Sequence, residues 1–149
     1  LEKMVDPLLP EGVIATATYQ DGRTENVVLS DADELDLPMA VLVNGSTASA
    51  AELFAASLRD FAKAELVGTT TYGKGVMQTT RHMEDDGAVT LTVATYQTSR
   101  SECYQGIGLT PDIEVEADED TIISAADPET DPQLSAAIAA VEEDVHGDN

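Results

Sequence analysis

Tryptophan is absent from this sequence, cysteine occurs once, and only seven basic residues stand against 29 acidic ones. The single Cys103 excludes an internal disulfide, and its neighbours Glu102 and Tyr104 supply no positive charge to favour the thiolate that a nucleophile needs. A formal charge of -22 repels phosphate backbones and anionic headgroups, which excludes nucleic acid as a partner. No apolar run approaches the roughly 20 residues that cross a bilayer, so no membrane contact is expected of this chain. The acid runs "DADELD" (31 to 36) and "EADEDT" (116 to 121) lack the glycine turn and closing glutamate of a calcium loop and read as solvated surface. Neither a metal nor a cofactor is expected. The opening "LEKMVDPLLPEG" has no initiator Met and no signal peptide, and reads as the interior of a longer protein.

What is there is enough for one core: 149 residues bury about 70% of the surface of their unfolded form. Alternation over 13 to 19 and 24 to 30, around Asp21-Gly22, predicts a hairpin. The continuous apolar run "LPMAVLVN" (37 to 44) predicts a buried strand, and the spacing from Ala51 to Lys63 predicts a helix. "AELVG" (64 to 68) is a second buried strand. Strands at about Val76 to His82 and over 87 to 98 face each other across "EDDG", and "GIGLTPDIEVE" (106 to 116) ends in one more. Past Ala117 the chain turns acidic, and "DPQLSAAIAAVEEDV" (131 to 145) has the Asp cap and early Pro of a helix start. The fold class is α/β, a mostly parallel core with β-hairpin additions. Residues 1 to 116 form the core and 117 to 149 an acidic linker and C-terminal helix.

Two stretches carry chemistry. In "NGSTASAAELF", Ser49-Ala-Ala-Glu52 fits a capping box, in which serine and glutamate satisfy the first amides of a helix. The same place suits a nucleophile, because unpaired N-H groups at the positive end of a helix stabilise an oxyanion. A serine needs a base, and the two histidines are badly placed for it, His82 on a predicted strand and His146 in the tail. Lys63 falls at a helix end, where a cation offsets the dipole. Lys74, in "YGKGVMQ", has no such local explanation and reads either as an exposed turn residue or as a base. Gly68 to Lys74 also fits the first seven positions of a phosphate-binding loop. The fit fails at Gly75, where magnesium needs a hydroxyl, and at "VMQTT", which is a strand where that loop needs a helix.

Together these stretches resemble the C-terminal processing, or tail-specific, serine peptidases. The resemblance runs in order through "VDPLLPEG" (5 to 12), "DLPMAVLVNGSTASAAELFAASLRD" (36 to 60), "AELVGTTTYGKGVMQ" (64 to 78) and "GIGLTPDIEV" (106 to 115), some 110 residues. It implies Ser49 as nucleophile, Lys74 as general base, Gln78 as the residue that orients the lysine amine, and the Ala50 amide as one oxyanion donor. It further implies a crotonase- or ClpP-like α/β core, incomplete here because the N-terminal part is absent. A PDZ domain upstream, an extracytoplasmic bacterial location and polypeptide substrates with apolar C-termini are implied too. The second oxyanion donor of that family lies on a Gly-Gly loop preceding "LLPEG". Lysine chemistry is consistent with these roles. At a pKa of about 10.4, roughly one lysine in two thousand is neutral at pH 7, and burial in a dry pocket away from carboxylates is what raises that fraction.

The chain by itself is expected to fold but hardly to hydrolyse peptides, and its open strand edges are expected to favour a homodimer. The alternative is a non-catalytic peptide-binding or assembly module on the same fold.

Overall fold

The two hydrophobic patterns of the chain end up in two different sheets. A computed structural model describes residues 1–31, 33–84, 86–116 and 127–147. Its continuous apolar runs make a parallel sheet in the order β3-β4-β7, from β3 (Met39–Val43), β4 (Ala64–Gly68) and β7 (Ile113–Glu114). The alternating runs make an antiparallel sheet in the order β2-β1-β6-β5, from β1 (Gly12–Tyr19), β2 (Thr24–Ser30), β5 (Val76–His82) and β6 (Ala88–Thr98). The fold is α/β as expected, with one addition that the pattern of single segments does not convey. The two hairpins are not separate, because β1 and β6 pair from Ala15↔Thr98 to Tyr19↔Ala94 and fuse them into one sheet. The larger sheet is therefore the antiparallel one, and "mostly parallel" holds only for the three strands around β4.

A four-residue helix α1 (Glu2–Val5) and a 3-10 turn lead into β1. The central helix α2 (Ala50–Asp60) contacts both sheets, burying Leu53, Ala55, Ala56 and Leu58. Alanines on its inner face let it lie close, and burying Leu58 alone stabilises by about 1.5–3 kcal/mol. Its end comes three residues before the predicted one. Ala62 takes φ +58°, the Ala62 amide donates to Arg59 O (2.9 Å) and the Lys63 amide to Leu58 O (2.9 Å), which is the two-bond closure of a Schellman motif. Lys63 thus lies beyond the helix, and its ammonium pairs with Glu34 and with Asp36 (3.4 Å). The Glu34 hydrogen bond, ahead of the other carboxylate contacts, raises its pKa above the usual lysine value. Arg59 is the cation in the last turn.

The C-terminal helix α3 (Pro132–Gly147) starts where expected: Asp131 Oδ1 accepts from the amides of Gln133 and Leu134, both at 3.0 Å. It packs on β3 and β4, and the Gln133 side chain donates to Val115 O (2.8 Å). Of the linker expected over 117 to 130, residues 117 to 126, and with them most of the second acid run, lie outside the described residues. Among the described residues no helix is long and apolar enough to cross a membrane, and no group of acids, histidines or cysteines is arranged to hold a metal ion.

At the end of β4, Gly68 sits at φ +132°, and a Cβ there would come within 2.0 Å of Val43 O. The close approach sets the spacing of β3 and β4 at the point from which both site loops depart. Gly68→Ala is expected to lower stability by about 2–4 kcal/mol, from the strained backbone and the collision together. A urea midpoint equal to that of the unsubstituted chain would contradict this.

Candidate active site

Strand β3 delivers the chain to a tight loop before α2. The Asn44 side chain accepts from the Ser46 amide (2.9 Å), Asn44 O accepts from the Thr47 amide (2.8 Å), and Thr47 Oγ1 accepts from the Asn44 amide (3.0 Å). The chain then turns into the helix through Ser49 at φ 60°, ψ -120°. Few residues other than glycine adopt such a backbone, which costs on the order of 1–3 kcal/mol and persists only where its surroundings hold it. The capping box is present as the sequence predicts. A plain helix cap has extended backbone geometry, so the strain at Ser49 is a feature that capping does not require.

What holds Ser49 is Glu52, which is 0% exposed. Its Oε2 accepts from the amides of Ser49 (2.9 Å) and Lys74 (2.8 Å). Its Oε1 accepts from the Gly73 amide (2.6 Å) and the Thr71 hydroxyl (2.6 Å). Thr71 Oγ1 in turn accepts from the Leu109 amide (2.7 Å). One carboxylate therefore ties the start of α2 to the "TYGKG" turn, and through Thr71 to the "GIGL" loop. The turn needs its glycines. A Cβ on Gly73, at φ +87°, would meet Gly108 N at 2.9 Å, and one on Gly75 would meet Cys103 Sγ at 3.0 Å. The capping-box spacing accounts for one of the four donors to Glu52, the Ser49 amide. The three further donors come from residues 71 to 74, and no spacing rule points at them.

Ser49, Ala50 and Gln78 line one cavity of about 340 Å3, whose walls also include Val28, Leu53 and Met77. The Ala50 amide has no hydrogen-bond acceptor among the described residues, whereas the Ala51 amide donates to Ala48 O (3.2 Å). Lys74 is half-buried and its main chain faces the first turn of α2. Its amine makes no ion pair with any described carboxylate, and no hydrogen bond to Ser49 or Gln78 in this structure. Gln78 is exposed on β5, with its amide 3.5 Å from Thr92 Oγ1. His82 is exposed at the far end of β5, and His146 bonds Glu142 O (2.6 Å), so neither histidine belongs to the site. Where a phosphate-binding loop would need a helix after Lys74, β5 begins at Val76.

Nothing in the alternating pattern of β6 singles out Tyr96. From β6 its hydroxyl reaches Lys74 O (2.9 Å) and Ser49 Oγ (3.4 Å). Its ring packs edge-on against Tyr104, with centroids 6.1 Å apart. Burial, followed by the neighbouring Tyr96, pushes the Tyr104 phenol well above the usual tyrosine range.

The sequence profile of peptidase family S41 matches residues 1–115. The carboxy-terminal-processing protease of Bartonella bacilliformis is 42% identical over 118 residues, covering 76% of this chain and 26% of that protein. The carboxyl-terminal-processing protease of Synechocystis is 37% identical over 108 residues, covering 72% and 25%. Among solved structures, the photosystem II D1 C-terminal processing protease superposes with a TM-score of 0.69 at 32% identity, over 76% of this chain and 30% of that one. A putative S41 protease from Bacteroides fragilis shares the fold, with a TM-score of 0.67 at 20% identity over 98% and 40%. The chain spans about a quarter of the length of these curated relatives.

Two outcomes follow from the geometry. In Glu52→Gln an NH2 replaces one oxygen, and each oxygen serves two donors, so two donors lose their acceptor; the expected cost is about 2–4 kcal/mol in a urea titration. An unchanged midpoint would mean that Glu52 does not hold the two loops together. Of two substitutions at the strained position, Ser49→Gly is expected to be more stable than Ser49→Ala by about 1–2 kcal/mol, since only glycine relaxes at that φ. Equal melting temperatures would remove the case for strain.

Proposed function

Because this chain belongs to peptidase family S41, we propose that it carries the nucleophile and base of a serine peptidase that cleaves polypeptides in their C-terminal region. Ser49 Oγ attacks the substrate carbonyl carbon, and its proton passes to the neutral Lys74 amine. The tetrahedral oxyanion is held by the Ala50 amide at the positive end of α2. Lys74, now an ammonium, gives its proton to the leaving amine, and water then releases the acyl group by the same path in reverse. Gln78 orients the lysine amine without bringing a charge.

The observation that carries this reading is the Glu52 oxygen that accepts from the amides of Ser49 and Lys74 together (2.9 and 2.8 Å). A buried carboxylate that joins these two residues from distant parts of the chain supports a functional pairing. The apolar walls of the cavity beside Ser49 support substrates with apolar side chains next to the scissile bond. The catalysed step needs a second oxyanion donor, which the resemblance places on a Gly-Gly loop outside these residues. The 149 residues alone are accordingly expected to hydrolyse peptides poorly, since losing one donor costs about 10²- to 10³-fold. Among the described residues β3 is an edge strand with Leu42 exposed, which supports self-association of the isolated chain as a homodimer. An upstream PDZ domain and an extracytoplasmic location rest on the resemblance.

The test is hydrolysis of an unfolded protein with an apolar C-terminus by the full-length polypeptide carrying this sequence. Ser49→Ala and Lys74→Arg are both expected to lose at least about 10²-fold in kcat while keeping the fold, since arginine keeps the cation and cannot release its proton. Near-native turnover in either variant would overturn the assignment.

A further inference from the structure

Tyr96 touches both members of the proposed pair. Its hydroxyl lies 2.9 Å from Lys74 O and 3.4 Å from Ser49 Oγ. A phenol has one proton to give. The carbonyl is the nearer acceptor and takes the larger share of that proton, and Ser49 Oγ accepts the smaller share across the longer contact. Tyr96 is well fixed for such a task. It is 7% exposed, lies opposite Ala17 in the middle of the antiparallel sheet, and donates its amide to Gly75 O (3.0 Å).

Resting on the Ser49-Lys74 reading, we propose that Tyr96 is a positioning residue of this site: it holds the Ser49 hydroxyl in one rotamer and fixes the Lys74 main chain beside it. A relay is ruled out by proton balance. If Tyr96 accepted the serine proton during attack it would have to pass its own to Lys74 O, a carbonyl that leads nowhere. The phenol therefore takes no part in proton transfer, and the 3.4 Å contact is given up when Oγ moves onto the substrate.

Tyr104 provides a control. It is 4% exposed, its ring packs on Tyr96, and its buried hydroxyl has no hydrogen-bond partner among the described residues. Removing an unpartnered hydroxyl is neutral or stabilising, whereas removing one with two contacts is not. The experiment measures kcat, KM and the pH profile of Tyr96→Phe, Tyr104→Phe and Ser49→Ala in the full-length polypeptide, with thermal midpoints to verify folding. Tyr96→Phe is expected to lower kcat about tenfold with KM within about twofold, the size of effect that one lost hydrogen bond produces. The midpoint of its pH profile stays in place because the phenol takes no part in proton transfer. Tyr104→Phe is expected to retain full kcat. An unchanged kcat in Tyr96→Phe, or a loss confined to KM, overturns the proposal. So does an equal loss in Tyr104→Phe, which would make the effect one of ring packing. Full kcat in Tyr96→Phe beside an inactive Ser49→Ala overturns the role of Tyr96 alone, while turnover retained in Ser49→Ala overturns the Ser49-Lys74 reading and Tyr96 with it.

Discussion

A single desolvated carboxylate organises this molecule. Taking an acid out of water costs several kcal/mol unless donors replace the lost hydration, and Glu52 is surrounded by four of them. They come from two segments more than 20 residues apart, and the acid itself stands in the first turn of α2, where the helix dipole favours negative charge. None of the four can leave without exposing the carboxylate to an apolar interior. The start of α2 and the turn around Lys74 therefore move as one unit, and the strained Ser49 is held by what its neighbours would lose rather than by its own preference.

The same economy governs the other charges. Among the described residues Glu52 is the one fully buried acid in a chain of charge -22; the rest face solvent or pair with cations at the rim. Two of the three lysines illustrate the contrast. Lys63 lies between Glu34 and Asp36, which favour its charged form. Lys74 lies close to a carboxylate as well, but Glu52 meets its main-chain amide and is already fully engaged by other donors. The backbone is gripped while the amine is left without an ionic partner among the described residues.

Much of this was legible from the residues. The two periodicities separate the sheets and "DPQL" marks the start of α3, whereas a cap alone would explain Ser49 and an exposed turn Lys74, and it is the resemblance to a peptidase family that singles those two out. What escaped was everything that depends on contacts between segments. Ala62 closes α2 in a conformation that glycine usually takes, so the helix ended earlier than its apolar spacing indicates. The union of the hairpins through β1 and β6 leaves no mark in either hairpin. Tyr96 reads as one more outward or inward residue of an alternating strand until the fold places its hydroxyl between Ser49 and Lys74. The reach of Glu52 was hidden by its success as a local cap, since a motif satisfied at short range gives no reason to look further.

The backbone at residue 49 also restricts which hydroxyl can stand there. Threonine offers the same oxygen, and it would be the obvious exchange on chemical grounds alone. At φ 60°, however, a side chain branched at Cβ crowds its own main chain, and β-branched residues are genuine outliers in that region. The helix that follows and the carboxylate that pins the Ser49 amide leave no freedom to rotate away. One methyl group is enough to separate the two alcohols, and the geometry of the bend settles the choice before reactivity enters.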